Sequence, residues 1–457
     1  MNLSIYYKEF GYNIRLAYPI ILAMLGHTVV GVIDNILVGK IGATELAAAS
    51  LANSFVFIGV ALGVGFSTAL TPLVAHSDAA NDTEDGRSVF INGLFLCTTV
   101  GLVLFALIYL CKPLLVYMGQ PEEVVLLARP FLDIVALSLI PLVMYQAYKQ
   151  FADGKSKTKN AMYATLITNI TNLILSYSLI HGVWLFPKLG MIGAAYGTLI
   201  ARIVMLVYMH FALHKQDIFK PFMSNLKFNE VKKEMLNKIT KIGIPSGMMS
   251  FFEVALFVGA VWLSGMIGTE AQAANQIALS MSSMTFMFAS GLSVAAMIRV
   301  GNQRGLKDYV KLRVVARSII LMAVMIYTGF AILFVLFHQY IPMLFLDNND
   351  LENAVMNQEV IKLAGTLLLV AAVFQISDCI QVVTLGALRG LQDVNMPMGI
   401  TFVSYWIIGF PISIYLGLYT SVGAAGIWIG LLAGLTTAAI CLYWRFHTLS
   451  NRLINNN

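Results

Sequence analysis

Apolar runs long enough to cross a bilayer recur twelve times along the chain. They are centred near Leu25, Ala61, Val100, Leu139, Thr168, Ala201, Phe252, Phe286, Met325, Ala372, Ile407 and Leu432. A spanning helix needs about 20 such residues, because in hydrocarbon every backbone N–H and C=O must be satisfied within the segment. Membrane barrels instead use alternating strands of about 10 residues, and these runs are too long and too evenly apolar for that. Charged residues make up 11% of the 457, against about 25% in soluble domains, so most of the chain never meets bulk water. The expected fold is an all-α integral membrane protein with twelve transmembrane helices.

The formal charge of +6 could point to nucleic acid, but its placement argues against that. If the N-terminus is cytoplasmic, all but six of the 29 Lys and Arg fall in segments on the inner side. The exceptions are Lys40, Lys112, Arg129, Lys188 and Lys362 on the outer side and Arg202 within a run. This asymmetry follows the positive-inside rule and predicts an inner (plasma) membrane protein with both termini cytoplasmic. Arg389 is read here as an inner boundary. The four cysteines lie in or beside apolar runs with no C-x-x-C pair, which disfavours a disulfide framework or a zinc site. The first run is too long for a signal-peptide core and is read as helix 1.

The chain echoes itself at an offset of 226. Pro19 meets Pro245, Ile41-Gly42 meets Ile267-Gly268, Ala47-Ala48 meets Ala273-Ala274, and Gly65, Ser67 and Ala69 meet Gly291, Ser293 and Ala295. A weaker echo sets Gly193-Ala194-Ala195 over Gly423-Ala424-Ala425 at an offset of 230. Two six-helix halves of parallel topology follow, related by an axis along the membrane normal with the binding site between them. The predicted organisation is an N-lobe over 1–214, a cytoplasmic linker over 215–241 and a C-lobe over 242–457. Within the join, Asn229 to Ile242 reads as an amphipathic surface helix, a solvated linker being the plainer alternative.

Three acids interrupt apolar runs: Asp34, Glu253 and Asp378. A carboxylate in hydrocarbon is costly, so it is neutralised, paired or used by an ion. At 1.5 Å per residue, Asp378 lies roughly 16 Å from Arg389 and Glu253 roughly 18 Å from Lys241, both near the middle of a core about 30 Å thick. Two carboxylates at one depth can share Na⁺ or a proton. Asp34, roughly 28 Å beyond Arg15, sits nearer the outer end. Each of the three could instead be an acid held protonated in the bundle. Asp133 and Arg202 also fall in apolar runs, with no partner evident.

Aromatic and sulfur-containing residues flank these acids: Phe252 and Phe257 near Glu253, Met281, Met284 and Phe288 at helical spacing on helix 8, and Tyr405 on helix 11. Aromatic faces attract organic cations and Met adapts to irregular shapes, so these six form a candidate substrate cavity. Ordinary helix packing is the competing reading. No H-E-x-x-H, G-x-S-x-G or Walker loop is present, so an enzyme or a nucleotide-driven pump is not expected, no cofactor is expected, and an ion gradient remains as the energy source.

The chain resembles the multidrug and toxic compound extrusion (MATE) transporters of the NorM-like branch. The resemblance rests on Gly31-Val32-Ile33-Asp34, on Phe251 through Phe257, on Phe374 through Val383, on Gly386-Ala387-Leu388-Arg389-Gly390 and on Ile298-Arg299-Val300-Gly301. It implies two pseudo-symmetric six-helix lobes around a central cavity, and antiport of organic cations against Na⁺ or H⁺. It also implies a C-lobe cation site at Glu253 and Asp378, where Na⁺ could bind, and an N-lobe acid at Asp34 with polar partners Asn172 and Thr198. Ser176 stands where some relatives carry a second acid. The expected partners are small organic cations and the bilayer, the working unit a monomer, with no nucleic acid. A lipid-linked oligosaccharide flippase of the wider superfamily is the nearest alternative, but its anionic substrate calls for a basic cavity.

Overall fold

The computed structural model describes residues 4–118, 121–183, 186–224, 230–345 and 354–456. Every regular element among them is helical. Twelve helices are long and apolar enough to span a bilayer: α1 Ser4–Gly39, α2 Thr44–Ala79, α3 Thr83–Tyr117, α4 Glu122–Gly154, α5 Lys159–His181, α6 Met191–His214, α7 Lys233–Ile267, α8 Thr269–Gly305, α9 Tyr309–Phe337, α10 Met356–Gly390, α11 Asn395–Leu418 and α12 Ala424–Asn455. Each apolar run of the sequence falls inside one of them.

The helices sort into two compact units whose boundaries differ from the sequence halves. The N-unit is Tyr18–Phe251, and the C-unit is Met1–Ala17 with Phe252–Asn457. Both α1 and α7 are therefore divided between units. Arg299 of α8 explains why the start of α1 belongs to the C-unit. Its guanidinium donates to Glu9 Oε2 at 2.7 Å and to Asn13 Oδ1, and it lies 4.5 Å from the centroid of the Tyr12 ring. Ser318 adds a hydrogen bond to the Tyr6 carbonyl at 2.8 Å and accepts one from Asn13 at 3.2 Å.

The expected surface helix over Asn229–Ile242 is not a separate element. Asn229 lies outside the described residues, and Lys233 onward is the first part of α7, which runs unbroken through Pro245. This first part is amphipathic as expected: Lys233, Glu234, Asn237, Lys238 and Lys241 are exposed while Met235, Ile239 and Ile242 are buried. Just before it the Lys232 N–H donates to Asn92 Oδ1 at 2.8 Å, and Arg87 binds Glu230 at 2.8 Å. The preceding join is docked as well. Phe219 and Phe222 are buried against Phe151, with centroids 5.8 and 5.4 Å away. Residues 225–229 of the linker fall outside the described set.

The repeat survives as matching turns. Asp82 and Asp308 cap α3 and α9 by accepting from Asp85 N and Lys311 N, each at 2.9 Å, and each follows a positive-φ residue, Asn81 and Lys307. One register needs correction. Gly190 and Gly423 have the same dihedrals, φ 57° with ψ −136° and φ 59° with ψ −135°, and both open the sixth helix of their half. Only glycine occupies that region freely, so Gly190 pairs with Gly423 at an offset of 233, and Gly193 does not.

Two charges without a sequence partner acquire one. The Lys112 ammonium reaches both Asp133 oxygens at 2.9 Å, and Arg202 donates to Ser138 Oγ at 2.7 Å.

Candidate functional site

Asp378 projects from the middle of α10 and Glu253 from α7, both within the C-unit. Asp378 is buried at 4% exposure, and the two carboxylates act on each other electrostatically. Neither forms a salt bridge among the described residues, and Asp378 Oδ1 and Glu253 Oε1 are buried without a hydrogen-bond partner there. Buried polar atoms normally have partners, so the company these two keep is informative.

That company is polar and equally unpartnered. Both ends of the Gln375 and Gln381 amides, Thr384 Oγ1, Tyr405 OH and Arg389 Nε are buried without partners among the described residues. Gln375, Asp378 and Gln381 follow one another at i, i+3, i+6 on α10, and Thr384 continues the row. Four polar side chains at helical spacing inside an apolar helix was a signal visible in the sequence, and only Asp378 was drawn from it. Arg389 stands in the last turn of α10, at the end of the span as its boundary reading has it, and its charge acts on Glu253 and Tyr405.

Two irregular helices frame the acids. In α11 the stretch Val403–Gly409 widens to π geometry just before Pro411, turning Tyr405 into the interior at 1% exposure. Single π turns of this kind re-aim side chains and recur at functional sites. At Gly409 the α11 backbone meets α12 so closely that a Cβ would stand 3.0 Å from the Gly434 Cα. In α8 the buried Tyr327 hydroxyl donates to the Thr285 carbonyl and accepts from the Ala289 N–H at 3.0 Å, placing itself between the two groups of one helical turn. Asp378 lies within electrostatic reach of that hydroxyl.

The N-unit gathers the other three polar candidates. Asp34 Oδ2 accepts from Thr198 Oγ1 at 3.3 Å and from Asn172 Nδ2 at 3.5 Å, and Asn172 also reaches Thr198 at 3.4 Å. Asp34 Oδ1, Asn172 Oδ1 and Ser176 Oγ are buried without partners among the described residues. Arg202 adds a positive charge that acts on Asp34.

The three phenylalanine candidates each pack on a different ring. Phe252 packs on Phe402 at 5.2 Å, Phe257 on Phe374 at 6.2 Å, and Phe288 on Phe330 at 5.1 Å. Met281 is half-buried and Met284 is 55% exposed. Tyr405, buried in α11, lies within electrostatic reach of both acids.

The chain is similar to known proteins over nearly its whole length. The MatE family profile matches residues 19–178 and 245–415. A probable multidrug resistance protein NorM of Rhizobium meliloti (strain 1021) is 31% identical over 445 residues, covering 97% of this chain and 94% of that protein. A protein of the same description from Bacillus licheniformis is 32% identical over 441 residues, covering 96% and 95%. A crystal structure of MATE in complex with MaL6 matches with a TM-score of 0.86 over 97% of this chain and 96% of that one. At 22% identity it speaks to fold alone.

Proposed function

The chain belongs to the MatE family of multi-pass membrane transporters, which are not enzymes, and we propose that it exports drug-like organic cations in exchange for Na⁺ or H⁺. The observation that carries the reading is that the buried Asp378 and the half-buried Glu253 each keep a buried carboxylate oxygen with no partner among the described residues, as do amide and hydroxyl groups of α10 and α11. Carboxylate, amide and hydroxyl oxygens are the hard ligands that Na⁺ takes, and either carboxylate can take a proton instead. The relatives described as multidrug resistance proteins support the substrate class.

In this reading the charged acids attract an ion from outside. The ion neutralises them and displaces the organic cation, and the two alternate through the transport cycle. Coupling requires that ion and drug compete for the same charge, since a ligand shifts a conformational equilibrium only by its differential affinity. Exchange of one Na⁺ for one monovalent drug cancels the voltage term of about 2.3 kcal/mol per 100 mV. A concentration ratio worth about 1.4 kcal/mol per tenfold then remains, and steeper drug gradients require more than one ion per cycle. Asp34 with Asn172 and Thr198 forms a second, smaller contact for a cation in the N-unit. The charge distribution supports a plasma-membrane location with cytoplasmic termini.

The test is ethidium transport by the full chain in proteoliposomes, with Na⁺ and pH gradients imposed separately. Glu253→Gln and Asp378→Asn should each abolish gradient-driven movement while the protein remains monodisperse. Undiminished transport in both would remove these acids from the coupling site.

A further inference from the structure

The arginines at the end of the C-unit where α9 begins and α12 finishes are not all compensated alike. Arg299 and Arg445 are neutralised, by Glu9 at 2.7 Å and by Asp393 at 2.8 Å. Arg313 and Arg317, one turn apart on one face of α9, form no salt bridge among the described residues. Their hydrogen bonds run to neutral groups of α12: Arg313 Nε donates to Ser450 Oγ at 3.3 Å, and Arg317 Nη2 to His447 Nδ1 at 3.0 Å. Ser450 in turn donates to the His447 carbonyl at 3.0 Å, so these side chains form one connected basic cluster. Arg313 Nη2 is buried with no partner among the described residues.

The repeat shows what this cluster lacks. The matching caps Asp82 and Asp308 fix the register at 226, which makes Arg87 of α3 the counterpart of Arg313. In the N-unit, Arg87 donates to both oxygens of Glu230, at 2.8 and 3.0 Å. In the C-unit, α12 offers no such acid, since residues 424–457 contain neither Asp nor Glu. The two arginines also stand at the edge of the hydrocarbon. Ser318 to Phe337 is 20 residues without a charge, about 30 Å of helix, which is the thickness of the core. Positive charge at headgroup level that no acid of the protein answers is complementary to an anion in that layer.

An apolar groove begins where these charges end. It encloses about 370 Å³ and is lined by Ile380 of α10 and by Thr436, Ile440, Tyr443, Trp444 and His447 of α12. His447 therefore belongs both to the groove and to the basic cluster. Ile440 and Trp444 are 65% and 68% exposed on a helix long enough to span the bilayer, so the groove opens sideways to lipid. The hydroxyls at its far end satisfy each other, Ser377 Oγ and Thr436 Oγ1 being 2.9 Å apart, which leaves its floor apolar. Thr436 to His447 covers roughly 16 Å along the axis, about the depth of one leaflet. We propose that this groove holds an acyl chain of an anionic phospholipid whose phosphate rests on Arg313 and Arg317. The inference goes beyond cation exchange and assigns the C-unit a bound lipid. A zwitterionic lipid brings its own ammonium and gains little from the pair of guanidiniums, so the site selects for net negative headgroups.

The test titrates phosphatidylglycerol or phosphatidylcholine, brominated high in otherwise identical acyl chains, into the purified full chain in detergent and follows quenching of tryptophan fluorescence. The glycerol lipid should bind at least about tenfold more tightly than the choline lipid, each arginine being worth about fivefold toward an anionic headgroup. Arg313→Gln combined with Arg317→Gln should bring the two lipids within about twofold of each other. Lys307→Gln, which removes an exposed charge at the same end of α9, should leave the preference intact. Trp444→Phe should remove the quenching that distinguishes the lipids, and this exposed substitution carries the test if the arginine variant cannot be purified monodisperse. Inorganic phosphate should not displace the lipid, because it has no chain for the groove. Equal binding of both lipids to the parent, an equal loss in Lys307→Gln, a lipid preference that survives in Trp444→Phe, or displacement by phosphate overturns the proposal. The last of these would make the cluster a site for the free anion.

Discussion

Lys149 and Asp153 form a buried ion pair on α4, and the pair can be dismantled in two ways with opposite consequences. The Nζ–Oδ2 distance is 2.9 Å, and the side chains are 9% and 0% exposed. At that separation and an effective dielectric of about 20, the attraction is about 6 kcal/mol before desolvation is subtracted. Asp153 Oδ1 has no other partner among the described residues, so the ammonium is the main compensation for this carboxylate. Replacing Lys149 with Met keeps most of the stem's packing and strands the acid, a loss of about 3–5 kcal/mol. Replacing both, as Lys149→Met with Asp153→Leu, removes the desolvation cost along with the attraction, and should return stability to within about 1–2 kcal/mol of the parent. Thermal unfolding in one detergent, followed by tryptophan fluorescence and by loss of the monodisperse peak, gives the order directly. The single variant should melt well below both the parent and the double variant. A single variant as stable as the parent, or a double variant as fragile as the single, would refute the assignment of the pair as mutually compensating buried charge.

Gly430→Ala would place a Cβ 2.3 Å from the Ser413 backbone nitrogen and should cost about 1–3 kcal/mol, whereas Gly329→Ala, with open space around it inside α9, should be neutral or stabilising by up to about 1 kcal/mol in the same melting assay. Thr198→Val removes the hydroxyl that Asp34 and Asn172 share. It should destabilise by roughly 1 kcal/mol in the parent and by less in an Asp34→Asn background, as a double-mutant cycle would read. Tyr327→Phe deletes the hydroxyl between Thr285 and Ala289 and should cost about 1–2 kcal/mol, and an unchanged melting temperature would show that the α8 turn closes on its own. Maleimide should label the half-buried Cys111 and Cys441 in the native protein and reach the buried Cys97 and Cys379 only after denaturation.

Helix number, helix position and the two-fold repeat were legible because hydrocarbon imposes its demand locally. Every residue of a span must be apolar or compensated, so each span declares itself within about 20 residues. Asp34, Glu253 and Asp378 were legible for the same reason, as exceptions to that demand. Asn172 and Thr198 became candidates only through resemblance, since an Asn or Thr in a membrane helix carries little signal of its own. The division of α1 and α7 between units was not legible, because it depends on Arg299 finding Glu9 and Asn13 some 290 positions away.

The sequence by itself determined that this chain spans a membrane twelve times as two related halves with acids in the hydrocarbon. These are consequences of transfer free energy summed along short windows, and composition alone sets them. Only the tertiary structure decided which polar groups meet: Arg299 with Glu9 and Asn13, Asp34 with Asn172 and Thr198, Lys149 with Asp153. Whether a buried charge is compensated in place or left to an exchangeable partner depends on distances between helices, and electrostatic energy follows those distances rather than order along the chain.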